Sequence, residues 1–328
     1  MKILNSNTRN FNKALENLIN LRKNKVRSNL VSVTNIIKDV KKNGDKAILK
    51  YEKKFNQNNI VIPTYKQISK SIKSLDRKVK RAIDLAYNRI YKFHSLQKFK
   101  DISYTDKYKN KIDYKYLPLE SVAIYVPGSS ASYPSSVLMN AIPARVAGVE
   151  KIIMCSPMKE IKDHALAIVA ADLCQVDEIY KTGGAHAIAA LAYGTQTIKA
   201  VDKIVGPGNI YVATAKKKVF GKVGIDSFAG PSEVLIIADK NTNPELIATD
   251  MFAQAEHDEL AQAILLSNSV KLISDVNKEI DKLLTHQTRK DIIKKSLTSR
   301  GLFIKANTIQ NIVEIADNIA PEHLEIFG

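Results

Sequence analysis

Lys203-Ile-Val-Gly-Pro-Gly-Asn-Ile-Tyr-Val-Ala-Thr-Ala-Lys-Lys-Lys-Val219 sets a strand, a turn and a helix in one run. Lys203 to Val205 is a short β-branched segment, Gly206-Pro207-Gly208 breaks it, and Ile210 to Val219 carries apolar residues at helical spacing. The same grammar occurs three times upstream. Ser121 to Val126 ends at Pro127-Gly128, Ile152 to Cys155 at Ser156-Pro157, and Glu178 to Thr182 at Gly183-Gly184. Each is followed by an Ala-rich helical stretch, over Val137 to Val149, His164 to Leu173 and Ala185 to Tyr193. Repeated strand, turn and helix predict a parallel α/β sheet, whose ligand lies beyond the carboxyl ends of the strands, where these turns fall.

Downstream the pattern resumes as a second α/β unit, with strands at Val234 to Ala238, Ala263 to Ser267 and Leu302 to Lys305. Its helices are expected at Pro244 to Ala255, Ser274 to His286 and Ile309 to Asn318. Before Ser121 the chain reads as helices over Phe11 to Lys25, Val31 to Asn43 and Ile68 to Gln97, with Gly44-Asp45 as a stop and restart. The expected fold is two α/β units resembling incomplete Rossmann folds with parallel sheets, plus a helical N-terminal arm; that one unit is inserted in the other is what the family resemblance given below implies. Residues 1–120 with 233–328 form the first unit, and 121–232 the inserted one.

The chain has 328 residues, 45% hydrophobic and 25% charged, enough for about two domains with real cores. No apolar run reaches membrane-spanning length, and MKILNSNTRNFNKAL is no signal peptide, so a cytoplasmic protein without a membrane partner is expected. Cys155 and Cys174 supply neither a disulfide framework nor a metal knuckle and read as buried apolar residues. A formal charge of +17 would suit nucleic acid, but the excess is heaviest before Tyr116, while Ser121 to Asp239 is nearly balanced. No basic and aromatic residues interleave as in a single-strand binder, so nucleic acid is not the expected partner.

Three features carry chemistry. Glu322-His323, in Ala320-Pro-Glu-His-Leu-Glu325, joins two proton-transfer groups at what reads as a Pro-initiated helix start. Gln254-Ala-Glu-His257 sets an amide oxygen and an imidazole three residues apart at a helix end; they can reach one metal ion, or His257 can simply meet the helix dipole. Gly206-Pro-Gly-Asn209, Thr182-Gly-Gly-Ala-His186 and Val126-Pro-Gly-Ser-Ser130 each open a helix after a strand, which would aim backbone N–H groups at an anion. His94, His164 and His286 read as surface residues, and Cys155 as packing rather than a nucleophile.

With these residues in view, the chain resembles the histidinol dehydrogenase family. The resemblance runs from Gly44-Asp-Lys-Ala47 through Ile124-Tyr-Val-Pro-Gly128, Tyr133-Pro-Ser-Ser-Val-Leu-Met-Asn-Ala-Ile-Pro-Ala144 and Gly206-Pro-Gly-Asn209. It continues in Ala229-Gly-Pro-Ser-Glu-Val234, Ala253-Gln-Ala-Glu-His257 and Ala320-Pro-Glu-His-Leu-Glu325. It implies NAD-dependent, zinc-dependent, four-electron oxidation of L-histidinol to L-histidine through L-histidinal, by a homodimer with a shared active site. By the same resemblance, Gln254 and His257 look like zinc ligands that also hold substrate, Glu322 like the base that activates water, and His323 like the base for both oxidations. Ser232 falls at a substrate position, and Tyr125, His186 and Asn209 at NAD positions. The family has Gln where His186 stands and Gly where Ser129 stands. Its further ligands, an Asp and a His lent to the neighbouring subunit, follow later than Gly328, so the chain is read as an incomplete copy that binds zinc poorly. The rival readings are another alcohol or aldehyde dehydrogenase and a non-catalytic nucleotide-binding fragment of this family.

Overall fold

The structure, a computed structural model, describes residues 1–24, 30–56, 70, 73–128, 132–158, 160–227 and 232–327. Lys25, Ile68, Ser129, Ser130 and residues 229–231, on which some of the expectations above fall, lie outside these. The chain divides into two compact units, Met1–Lys25 with Ala229–Gly328, and Val26–Phe228.

The discontinuous unit is built on a five-stranded parallel sheet of β1 (Lys2–Asn5), β9 (Glu233–Ala238), β10 (Gln262–Ser267), β11 (Leu302–Lys305) and β12 (His323–Phe327), in the order β1-β11-β10-β9-β12. Alternation along β9 decides its packing. Val234, Ile236 and Ala238 face helices Pro244–Ala255, Val270–Leu284 and Lys290–Ser299, while Leu235 faces helices Phe11–Asn24 and Ile309–Ile319. With both faces covered, the central strand β10 is buried at every residue, as a parallel sheet requires. Side-chain caps start the helices: Asn243, Ser269 and Thr308 accept from Glu245, Leu272 and Asn311 N–H.

The inserted unit has its own five-stranded parallel sheet, of β4 (Ser121–Tyr125), β5 (Lys151–Cys155), β6 (Glu178–Tyr180), β7 (Lys203–Val205) and β8 (Gly224–Ile225), in the order β6-β5-β4-β7-β8. Val122, Ile124, Ile152 and Met154 pack against helices Pro134–Ala147 and Ala165–Leu173, and Ala123, Ile153, Cys155 and Ile204 against Gly184–Tyr193 and Ile210–Val219. Both cysteines are free and buried in these cores, as expected. An antiparallel ribbon of β2 (Ile102–Thr105) and β3 (Lys111–Tyr114) is exposed along both strands.

The helical arm falls differently from expectation. Val33, Ile36, Val40 and Ile48 share a core with Ile188, Leu191 and Val212, and Ile83 of helix Arg77–Ser95 shares one with Leu138 and Ile142. Residues 26–120 therefore belong to the inserted unit, not to the discontinuous one. An amphipathic helix advertises a buried face but not the partner that will cover it. Among the described residues, no helix is long and apolar enough to cross a membrane.

Candidate functional site

In the discontinuous unit the singled-out residues gather at the amino edge of the sheet. Ser232 immediately precedes β9, and its carbonyl accepts the Gln262 N–H at 3.0 Å. His323 opens β12 opposite Val234. The Glu322 carboxylate accepts the Glu233 N–H at 3.4 Å and stands 4.0 Å from His323 Nε2, with both side chains more than half exposed. Helix Pro244–Ala255 leaves the carboxyl end of β9 and must run back to start the parallel β10. Its last turn and the bend after it thus return Gln254 and His257 to the same edge.

The expected helix start at Pro321 is not there. Helix Ile309–Ile319 ends at Ala320 in the left-handed region (φ 45°), and the chain enters β12 within three residues. Pro321 therefore follows a helix C-terminus, where proline prevents continuation, and the pair does not stand at a helix start. His257 likewise lies in a bend beyond the helix end at Ala255, its N–H donating to the Gln254 carbonyl at 3.3 Å.

As metal donors, Gln254 and His257 pass part of a test. The side-chain amide of Gln254 has a buried nitrogen with no hydrogen-bond partner among the described residues, and amide oxygen and nitrogen are interchangeable assignments. An unsatisfied amide beside an exposed imidazole suits a cation ligand pair. Among the described residues, however, no group of three or more His, Cys, Asp or Glu can hold a metal ion. Two donors fill half of a tetrahedral zinc site.

In the inserted unit, the chain order reverses at β4, with β5 and β6 on one side and β7 and β8 on the other. That is a topological switch point of the kind that opens a ligand crevice at the carboxyl edge. Tyr125 and the Gly206 turn flank it. Several backbone amides at these turns are instead satisfied internally. Asn209 Oδ1 accepts from Tyr211 and Val212 N–H at 3.1 and 3.2 Å, capping its own helix. The Gly206 N–H donates to Asp226 at 2.8 Å, the Gly206 carbonyl accepts from buried Lys216 Nζ at 2.9 Å, and Lys216 is paired with Asp226. These amides are therefore not free to cradle an anion.

His186, expected at the cofactor, is instead fully buried with its Nε2 2.8 Å from Glu52 Oε1. Glu52, itself buried, also accepts from Thr182 Oγ1 at 2.7 Å, Gly183 N–H at 3.0 Å and Asn56 Nδ2 at 2.9 Å. Burial opposes its charge, yet the hydrogen bonds from His186 and Thr182 outweigh this and hold the carboxyl below the usual glutamate range. A lowered folded pKa means that the unfolded chain binds the extra proton. Glu52 thus stabilises the fold above its ordinary value of 4.5, and that stability drains as pH falls through the lower folded value. Thermal melts from about pH 3 to about pH 7 should show a shallower acid limb for Glu52→Gln than for the wild type; parallel limbs would contradict the assignment.

Sequence reading missed Glu52, because Tyr51-Glu-Lys-Lys-Phe55 looks like an ordinary polar helix face and its partners lie some 130 residues on. Tyr125, the last residue of β4, is also buried, and its hydroxyl accepts the Gly184 N–H at 3.0 Å. Burial raises its pKa and that of Cys155, which keeps Cys155 a packing thiol. His164 is buried, contrary to the surface expectation, while His286 is exposed as expected.

Comparison with known proteins adds a family to this geometry. The sequence model of the family described as histidinol dehydrogenase matches residues 20–328. A histidinol dehydrogenase of Pelagibacter ubique is 61% identical over 327 residues, spanning 99% of this chain and 76% of that one. One from Nitrosospira multiformis is 43% identical over 332 residues, spanning 99% and 75%. The crystal structure of histidinol dehydrogenase from Elizabethkingia anophelis matches with a TM-score of 0.91 at 33% identity, over 99% of this chain and 75% of that one.

Proposed function

Because this chain belongs to the histidinol dehydrogenase family, we propose that it oxidises L-histidinol to L-histidine through L-histidinal, with two NAD molecules consumed as hydride-accepting substrates. The observation that carries this reading is the gathering of Ser232, Gln254, His257, Glu322 and His323 at the amino edge of one sheet. That edge offers a base for protons, a carboxylate for water, and polar groups to hold an imidazole substrate.

In the first oxidation the carbinol carbon loses a hydride and His323 takes the hydroxyl proton. Glu322 then draws a proton from water as its oxygen adds to the histidinal carbonyl, whose own oxygen takes back the proton held by His323, leaving that imidazole free to act again. The resulting diol loses a second hydride from carbon while His323 again takes a hydroxyl proton, leaving the carboxylic acid. Ser232 orients the substrate by hydrogen bonding. Gln254 and His257 would hold zinc, together with donors beyond these two, and the ion would fix the substrate's imidazole and amino group. Tyr125 and Asn209 belong to the NAD set, whereas His186, first expected there, is buried against Glu52. The protein is proposed to work in the cytoplasm as a homodimer with a shared active site, without nucleic-acid or membrane partners.

The test is NADH formation from L-histidinol by the purified protein, with zinc in excess and with a chelator. Two NADH per histidinol with excess zinc, lost on chelation, is the expected result. Equal turnover of alcohols lacking an imidazole, or no NADH under any of these conditions, would sink the reading.

A further inference from the structure

The cluster around Glu52 has a geometry that the proposed chemistry does not use. Three groups that donate to its carboxylate, Thr182 Oγ1, Gly183 N–H and His186 Nε2, belong to the turn that leads from β6 into helix Gly184–Tyr193 and to the first turn of that helix. The next amide of that turn, Gly184 N–H, goes to the Tyr125 hydroxyl at the end of β4. The turn is thereby stitched to a carboxylate on one side and to the β4 edge of the crevice on the other. Glu52 itself is held by Asn56, one turn on in the π-helical segment Glu52–Asn56, a rare distortion that tends to occur at functional sites. The His186 ring packs against Tyr51 and Phe55, with centroids at 5.7 and 6.3 Å.

A buried carboxylate is costly unless every lone pair is met, and an apolar side chain would fill the same space without that demand. What a carboxylate adds is direction: it collects several donors at one point and fixes the backbone that carries them. We propose that Glu52 is a positioning residue of the nucleotide crevice, holding the Thr182–Gly184 turn and His186 in place so that Tyr125 presents a preformed edge to the dinucleotide. On this assignment His186 acts through Glu52 and does not itself touch the nucleotide. The proposal rests on the NAD reading above.

The experiment is calorimetric titration of the full chain with NAD and, separately, with L-histidinol, for the wild type, Glu52→Ala, Glu52→Gln and His186→Gln. A glutamine at 186 can still donate to Glu52, so His186→Gln should bind NAD within about threefold of the wild type. Glu52→Ala should weaken NAD about tenfold or more, with histidinol affinity unchanged. Glu52→Gln keeps an acceptor oxygen but sets an NH2 against the remaining donors, and should fall between; it decides the matter if Glu52→Ala does not fold. NAD affinity unchanged in a folded Glu52 variant, equal weakening of both ligands, or a His186→Gln loss matching that of Glu52→Ala would each overturn the assignment. A wild-type chain that takes up histidinol but no NAD would overturn the NAD reading itself, and this control is read before any variant.

Discussion

His323→Asn is expected to lower NADH formation from L-histidinol by about a thousandfold, the contribution of a well-placed general base. Asparagine keeps a polar side chain of similar reach but cannot take a proton. The exposed side chain at 323 supports no core, and the strand pairing of β12 with β9 uses backbone groups only, so thermal stability should not move. Glu322→Gln separates the two half-reactions. The Gln oxygen can still accept the Glu233 N–H, which preserves the local structure. Oxidation of L-histidinol to the aldehyde should survive nearly intact, whereas oxidation of supplied L-histidinal, which needs water, should slow by about a hundredfold. Stopped-flow traces with each substrate resolve the two. Equal losses on both would remove Glu322 from the water step, and a fully active His323→Asn would remove His323 from the chemistry.

What the sequence shows depends on how local the deciding interaction is. Strand β7, helix Ile210–Val219, helix Pro244–Ala255 and strand β11 match expectation residue for residue, because each is bounded by its own Gly, Pro or capping residue. Pro321 obeys local rules too, but the rule is ambiguous: proline opens a helix at its first turn and also follows one that has ended. The pairing of His323 with Val234, almost ninety residues away, chooses between them. The availability of turn amides is similarly non-local. Gly206 loses its N–H to Asp226 twenty residues on, and Gly183 to Glu52, 131 residues back. Motifs thus pointed to candidate residues by their place in the chain. They could not say which polar groups were already engaged.

Gly206 offers the sharpest stability test of that engagement. Its φ of +106° lies where L-residues are rarely found, and a Cβ built there would stand 2.2 Å from the Tyr125 carbonyl oxygen and 3.1 Å from its nitrogen. Both obstructing atoms are backbone of β4, pinned by the sheet, so no rotamer change can relieve the overlap. The two backbone polar groups of Gly206 are meanwhile bound to Asp226 and Lys216, which resist any shift of the turn. Gly206→Ala is therefore expected to cost about 4 kcal/mol or more, a drop in Tm of roughly 10 °C. Gly221→Ala is the matched control. Gly221 has a similar φ of +94° but nothing within 4 Å of a built Cβ, so it should cost only the backbone strain, about 1–2 kcal/mol. Differential scanning calorimetry of the two variants separates close approach from conformation. Equal losses would mean that the Tyr125 carbonyl yields, and with it the claim that β4 and the Gly206 turn form a rigid wall of the crevice. A much larger loss at Gly206 would mean that this glycine serves the backbone-to-backbone approach at the switch point, beyond the freedom that any turn glycine supplies.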